Sequence, residues 1–167
     1  MRKLALLSFL LLFSFAAFSQ GEAKTEIQWL KLNQAEELAA KYDSDMLVFF
    51  FRNGCPDCKK MKEETLNDPE IIKLINENFF PVMLNGRTKD TIIYNGKKYF
   101  NQQPVEHGST FRHDLFHELA DAVKGQYYYP YIAIIDGEHK KVKNIPGFKP
   151  AELLKRILSS LLNSKPK

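Results

Sequence analysis

With 167 residues, of which 44% are hydrophobic and 26% charged, the chain has the size and makeup of one ordinary globular domain with a core of its own. Its formal charge of +4, spread without any basic block, gives no case for nucleic-acid binding. No repeat, low-complexity tract or interdomain linker breaks the sequence.

The first residues read as a targeting segment. Arg2 and Lys3 precede an apolar stretch from Leu4 to Phe18, and Ala17-Phe18-Ser19 places small residues at both positions a signal peptidase reads. Residues 1–19 are therefore expected to be a cleaved signal peptide, with the mature chain starting at Gln20. The stretch falls short of the ~20 apolar residues a membrane span needs, so stable membrane insertion after cleavage is not expected. An uncleaved anchor is the competing reading. Removing Arg2 and Lys3 lowers the formal charge from +4 to +2. The predicted destination is export, to the periplasm.

Within residues 20–167 the patterns predict one α/β domain. Residues 27–32 alternate as a short strand, and Asn33 is placed to cap a helix over 34–42 with Ala35, Leu38 and Ala39 on one face. Residues 46–52 are apolar without alternation, as in a central strand covered on both sides. A helix follows from the cysteine motif to about residue 66. Asp68 and Pro69 restart a helix as cap and first residue, with Ile71, Ile72, Leu74 and Ile75 buried. Residues 81–84 read as a strand.

After Asn85 the pattern changes. Residues 91–94 and 97–100 flank Asn95-Gly96, a strong hairpin signal. A helix is expected from Ser109 to Lys124, carrying Phe111, Leu115, Leu119 and Val123 on one face and stopped by Gly125. Residues 131–135 and 141–145 form a second hairpin through Asp136-Gly137. Residues 151–162 close the chain as an amphipathic helix, with 163–167 expected to fray.

Cys55-Pro56-Asp57-Cys58 contains both cysteines of the chain. A strand, a turn and a helix start would set Cys55 among unpaired backbone N–H groups, which stabilise a thiolate. Cys58 lies one turn on, and an i, i+3 spacing gives Cα atoms roughly 5–6 Å apart, inside disulfide range. A crosslink closing so small a loop removes little chain entropy, so stabilisation alone is a poor reason for it. The spacing points to a redox pair. Cys55 attacks a disulfide and Cys58 resolves the mixed disulfide, with Pro56 and Asp57 tuning the pair. A structural disulfide is the bland alternative.

A metal site is the other chemical candidate. His113-Asp114-Leu115-Phe116-His117 resembles the zinc-protease HExxH with Asp for Glu, and together with Cys55 and Cys58 it mimics a four-ligand zinc spacing. Asp is too short for the general-base role, and the zinc arrangement needs two distant segments to meet. The expectation is no metal and no cofactor, with His113 and His117 on an exposed or rim face of the helix. Tyr94, Tyr99, Phe100, Tyr127 and Tyr128 read as packing residues, with a substrate platform as the alternative.

The element order and the stretches Phe49 to Met61 and Tyr129 to Gly137 together resemble the thioredoxin superfamily, over about Trp29 to Leu162. Leu66-Asn67-Asp68-Pro69-Glu70 and Asn78-Phe79-Phe80-Pro81-Val82 resemble exported thioredoxin-like proteins of the Bacteroidetes type, which carry a similar hairpin and helix insertion; the resemblance implies such an insertion over about 86–108 here. The resemblance implies a thioredoxin fold, a central mixed sheet flanked by helices. It implies a cis-proline at Pro130 and a substrate-binding edge at Tyr129 and Pro130, where an extended substrate would pair with free backbone. Implied partners are protein or small-molecule disulfide substrates and an upstream thiol electron donor, with no nucleic acid.

Three positions depart from the family pattern. Phe49 replaces the buried acid six residues before the first cysteine, Gly54 replaces the aromatic residue before Cys55, and the dipeptide is Pro-Asp. The expected function is an exported thiol–disulfide oxidoreductase, a reductant of protein disulfides. A binding module that recruits a partner through the insertion is the alternative.

Overall fold

The computed structural model describes residues 24–102 and 111–164. The predicted signal peptide, its cleavage before Gln20 and part of the predicted insertion lie outside these residues. In chain order the elements are α1 (Leu32–Tyr42), β1 (Asp45–Phe51), α2 (Pro56–Lys60) running into a π-helical turn (Met61–Thr65), α3 (Pro69–Asn78) and β2 (Phe79–Asn85). Then come β3 (Ile92–Tyr94), β4 (Lys97–Tyr99), α4 (Asp114–Leu119), β5 (Tyr131–Ile135), β6 (Lys141–Pro146) and α5 (Ala151–Ser164).

The main sheet has the order β2-β1-β5-β6. β1 runs parallel to β2 and antiparallel to β5, and β5 runs antiparallel to β6. This is a mixed sheet flanked by helices, as in the thioredoxin fold. Because successive side chains of a strand point to opposite faces, β1 feeds two cores. Met46, Val48 and Phe50 join Ala35, Ala39, Leu115, Phe116 and Tyr131 on one side. Leu47 and Phe49 join Met61, Ile71, Ile75, Leu154 and Leu158 on the other. Coverage on both faces explains why 46–51 shows no alternation of polarity.

Several boundaries differ from the sequence reading. The predicted strand over 27–32 is only a bridge, with the Leu30 amide donating to the Pro81 carbonyl at 2.8 Å. Leu32 is drawn into the core and starts α1, so Lys31 rather than Asn33 occupies the cap position, its amide donating to Gln34 Oε1. The helix after the cysteines is not α-helical throughout. Its last turn widens, the Leu66 amide reaching the Met61 carbonyl at 2.8 Å, which keeps Met61, Thr65 and Leu66 all facing inward. Thr65 Oγ1 then donates to the Lys149 carbonyl at 2.7 Å and ties this turn to the segment before α5. α5 continues to Ser164, two residues beyond its expected end.

β3 and β4 form the expected hairpin, with positive φ at both Asn95 and Gly96. It is fastened to α1 by the Asn95 amide, which donates to Glu36 Oε1 at 2.7 Å. The helix expected over 109–124 is much shorter. α4 ends at Leu119, and Lys124-Gly125 form a two-residue turn, both at positive φ, that pairs Val123 with Gln126. Gly125 therefore serves that turn and does not stop a helix, and Val123 is exposed while Phe116 is fully buried. Gly137 has a different reason from the one its sequence suggested. A Cβ there would lie 2.7 Å from the Ala39 carbonyl oxygen, so the close approach of α1 requires the glycine.

Candidate active site

β1 delivers the cysteine motif to the end of the sheet. Phe50 pairs with Tyr131 across the antiparallel β1–β5 ladder, so the segment leaving β1 emerges beside the one entering β5. The first contains Asn53-Gly54-Cys55 and the second Tyr129-Pro130. Gly54 adopts φ +65°, which an aromatic side chain at this position would disfavour. The departure from the family pattern thus has a backbone reason.

Cys55 is the N-cap of α2, with φ −98° and ψ 110°, and Pro56 takes the first helical position. The Cys58 amide donates to Cys55 Sγ at 3.1 Å. The two sulfurs form a disulfide across a Cα–Cα distance of 5.2 Å. Cys55 is the more accessible partner, 6% exposed against 2% for Cys58. The sulfur at the helix start thus receives a backbone N–H, the kind of contact that favours its thiolate once the bond is opened.

A cleft of about 540 Å³ opens beside the disulfide, lined by residues that include Phe51, Arg52, Cys55, Pro56 and Lys62. The Lys62 ammonium lies 3.4 Å from the centre of the Phe51 ring, and burial holds its pKa below the ordinary lysine range. Asp57 is exposed in the first turn of α2. Lys59 and Lys60 face solvent opposite Glu63 and Glu64, at 3.9 and 4.0 Å. Beneath the motif, Phe49 is fully buried with its ring centre 6.2 Å from that of Trp29, so a hydrocarbon contact replaces the family's acid.

The Tyr129–Pro130 peptide bond is cis, and Pro130 is buried. The Tyr129 hydroxyl donates to the Gly86 carbonyl at 2.9 Å, and its ring stacks on Phe116 with centres 4.7 Å apart. Burial pushes the Tyr129 phenol up to about 12 against the opposing pull of Arg112, Arg87 and Arg52, so it stays protonated.

The histidines part company. His113 is buried and caps α4, its Nδ1 accepting from the Leu115 amide at 3.1 Å while Nε2 lies 3.0 Å from the Asp90 carbonyl. Since Nδ1 accepts, Nε2 carries the proton and donates, and both nitrogens are committed to protein. The expected rim position is wrong for His113, because the helix begins after it; His117 is on the exposed side as expected, though one face of its ring packs against Tyr127, with ring centres 4.8 Å apart. Of the aromatic residues read as packing, Tyr94 is buried and Tyr99 and Tyr127 partly so, whereas Phe100 and Tyr128 are exposed.

A family model described as a thioredoxin-like domain matches residues 32–162. The chain belongs to the thioredoxin-like domain family. Among solved structures, this thioredoxin-like chain is similar to a DsbH oxidoreductase, with 19% identity, a TM-score of 0.58 and coverage of 88% of this chain and 92% of the other. It is similar to a thioredoxin from Thermus thermophilus, with 17% identity, a TM-score of 0.57 and coverage of 82% and 88%. It is also similar to a disulphide-isomerase homologue from Bacteroides thetaiotaomicron, with 18% identity, a TM-score of 0.56 and coverage of 85% and 98%. At these identities the likeness establishes the shared fold. No curated protein sequence matches the chain. Among the described residues, no helix of the thioredoxin-like domain is long and apolar enough to cross a membrane.

Sequence reasoning passed over Arg52, Lys62, Gly86, Arg87 and Arg112. Each is ordinary in its local sequence, and only the folded chain sets Arg52 and Lys62 in the cleft and Gly86 against Tyr129. The sole early signal was the position of Arg52 at the end of the apolar run.

Proposed function

We propose that this protein is an exported, periplasmic thiol–disulfide oxidoreductase that reduces protein disulfides. The observation that carries the reading is the Cys58 amide donating to Cys55 Sγ at the start of α2, within a cleft that opens to solvent. In the reduced protein that N–H stabilises the Cys55 thiolate. The thiolate attacks one sulfur of a substrate disulfide, and the other leaves as a thiolate that takes a proton from water. Cys58, deprotonated, then attacks Cys55 Sγ and releases the second substrate thiol. The substrate gains two electrons, and the Cys55–Cys58 pair is left as the disulfide. An upstream dithiol donor returns it to the reduced state. Tyr129 and Pro130 offer the substrate an edge beside this centre, and Pro56 and Asp57 set its poise.

Turnover of a protein disulfide such as that of insulin, in the presence of a dithiol donor, tests the reading. The wild type is expected to reduce it and Cys55→Ser to be inert. Equal rates for the two would favour the binding-module alternative.

A further inference from the structure

Once Cys55 is held in a mixed disulfide, Cys58 must lose its proton before it can attack. Cys58 is 2% exposed, and burial disfavours a thiolate. Phe49, beneath the motif, offers no proton acceptor, since its ring meets that of Trp29. An acceptor has to come from the cleft that Cys55 and Cys58 line. The other titratable residues lining it are Arg52, Lys59, Lys62 and Glu63. An arginine does not deprotonate in a protein. Lys59 and Glu63 are exposed and face each other at 3.9 Å. Asp57, in the first turn of α2, is exposed as well. Carboxylates as a class are far weaker bases than thiolates, so neither acid suits the task.

Lys62 differs from these. It follows Cys58 by four residues in a helical run kept continuous by the Met61 amide, which donates to the carbonyls of both Asp57 and Cys58. That spacing sets the two side chains on one face, and both line the cleft. The Phe51 ring, another wall of the cleft, fixes the Nζ 3.4 Å from its centre. Burial holds the ammonium below the ordinary lysine range. The charge opposing that burial also changes during turnover. In the reduced protein a Cys55 thiolate favours the ammonium. A mixed disulfide removes that negative charge, as the closed Cys55–Cys58 bond does here, and Lys62 then releases its proton to water more readily.

We propose that Lys62 is a catalytic residue of the resolving step, the base that takes the Cys58 proton in the mixed disulfide. The inference rests on the oxidoreductase reading and names the base that reading requires. The neutral Nζ accepts the proton as Cys58 Sγ attacks Cys55 Sγ. The Cys58 S–H bond breaks and an N–H bond forms. The bond from Cys55 to the substrate sulfur breaks as the Cys55–Cys58 bond forms, and the departing sulfur keeps the electron pair. That sulfur takes the proton from Lys62, leaves as a thiol, and returns the lysine to its neutral form.

Stopped-flow reaction of the reduced full-length protein with an equimolar aromatic disulfide, dithiobis-nitrobenzoate, reads the steps separately. A coloured thiolate is released first as Cys55 attacks and again as Cys58 resolves, and this leaving group needs no proton. Lys62→Gln is expected to slow the second phase by about a hundredfold at neutral pH, and far more than the first. Its second phase should then climb with pH and meet the wild type where Cys58 ionises unaided. Lys62→Arg keeps the positive charge without the acceptor, so it should be as slow as Lys62→Gln. Thermal melting checks that both variants are folded. A second phase restored by Lys62→Arg, or one that Lys62→Gln slows no more than the first, overturns the assignment and leaves the oxidoreductase reading standing. A wild type that shows no second phase sinks both.

Discussion

The Tyr129 hydroxyl donates a 2.9 Å hydrogen bond to the Gly86 carbonyl, and the Tyr129 ring occupies the space a side chain at Gly86 would need. A Cβ at position 86 would overlap the phenol oxygen and lie 2.7 Å from Cε1. The ring has little room to retreat, because Phe116 stacks on it. Gly86 also receives the His113 amide at 2.9 Å, so one carbonyl anchors both the residue before Pro130 and the start of α4. The start of α4 is thereby fixed to the segment that enters β5.

Gly86→Ala is accordingly expected to cost about 1–3 kcal/mol, as overpacking of a filled site does. It should also lower kcat/KM by displacing Tyr129. Tyr129→Phe keeps the ring and loses only the hydroxyl contact, for about 0.5–1.5 kcal/mol. Urea denaturation of the three proteins provides the comparison. A neutral Gly86→Ala would mean the ring moves freely, contrary to this packing.

The cysteines are predicted to be unequal. Cys55 caps the helix and accepts a backbone N–H, whereas Cys58 lies inside the turn and is the less exposed. In the reduced protein, iodoacetamide should modify Cys55 first. Cys58→Ser should accumulate mixed disulfides with substrates, and Cys55→Ser should not. Equal alkylation rates at the two positions would contradict the assigned order of attack.

How much of this was legible beforehand follows from the range of each interaction. The cysteine turn, the Asp68-Pro69 helix start and the Asn95-Gly96 hairpin rest on neighbours in sequence, and the structure has all three. The helix over 109–124 was overextended because Leu115 and Leu119 fit a helical period that stops with them. Lys124-Gly125 then forms its own turn, and Phe116 packs on Phe50, Tyr129 and Tyr131, partners no local pattern reveals.

The acid side of the stability profile should carry a contribution from His117. Burial lowers its pKa from the ordinary 6.5, Arg112 lowers it further, and Asp114 opposes them. Below about pH 6.5 the unfolded chain therefore binds a proton that the folded chain resists. Stability falls as the pH drops from there until the folded-state value is passed. Melting curves between pH 7.5 and 5 should show a shallower acid loss for His117→Gln than for the wild type. An unchanged slope would mean that the buried face of this ring does not penalise its charge.

The redox poise depends on the charges around Cys55. A dithiol pair oxidises strongly when its reduced form is stabilised, chiefly through the attacking thiolate. Asp57 is exposed in the same turn, and a nearby carboxylate disfavours a thiolate. Lys59 and Lys60 act in the opposite sense, but they are solvated and stand opposite Glu63 and Glu64, so little of their field reaches the sulfur. Lys62 differs from them, being held in the cleft over Phe51. The expected Cys55 pKa is about 7 and not the ~3.5 of the strongest oxidants. The potential should likewise fall nearer about −270 mV than about −120 mV. Asp57→Asn should lower the Cys55 pKa and make the protein more oxidising, and Lys62→Gln should do the reverse. Equilibration with glutathione buffers measures all three potentials. A wild-type value near the oxidising limit, or a more reducing Asp57→Asn, would reverse the assignment from reductant to oxidant.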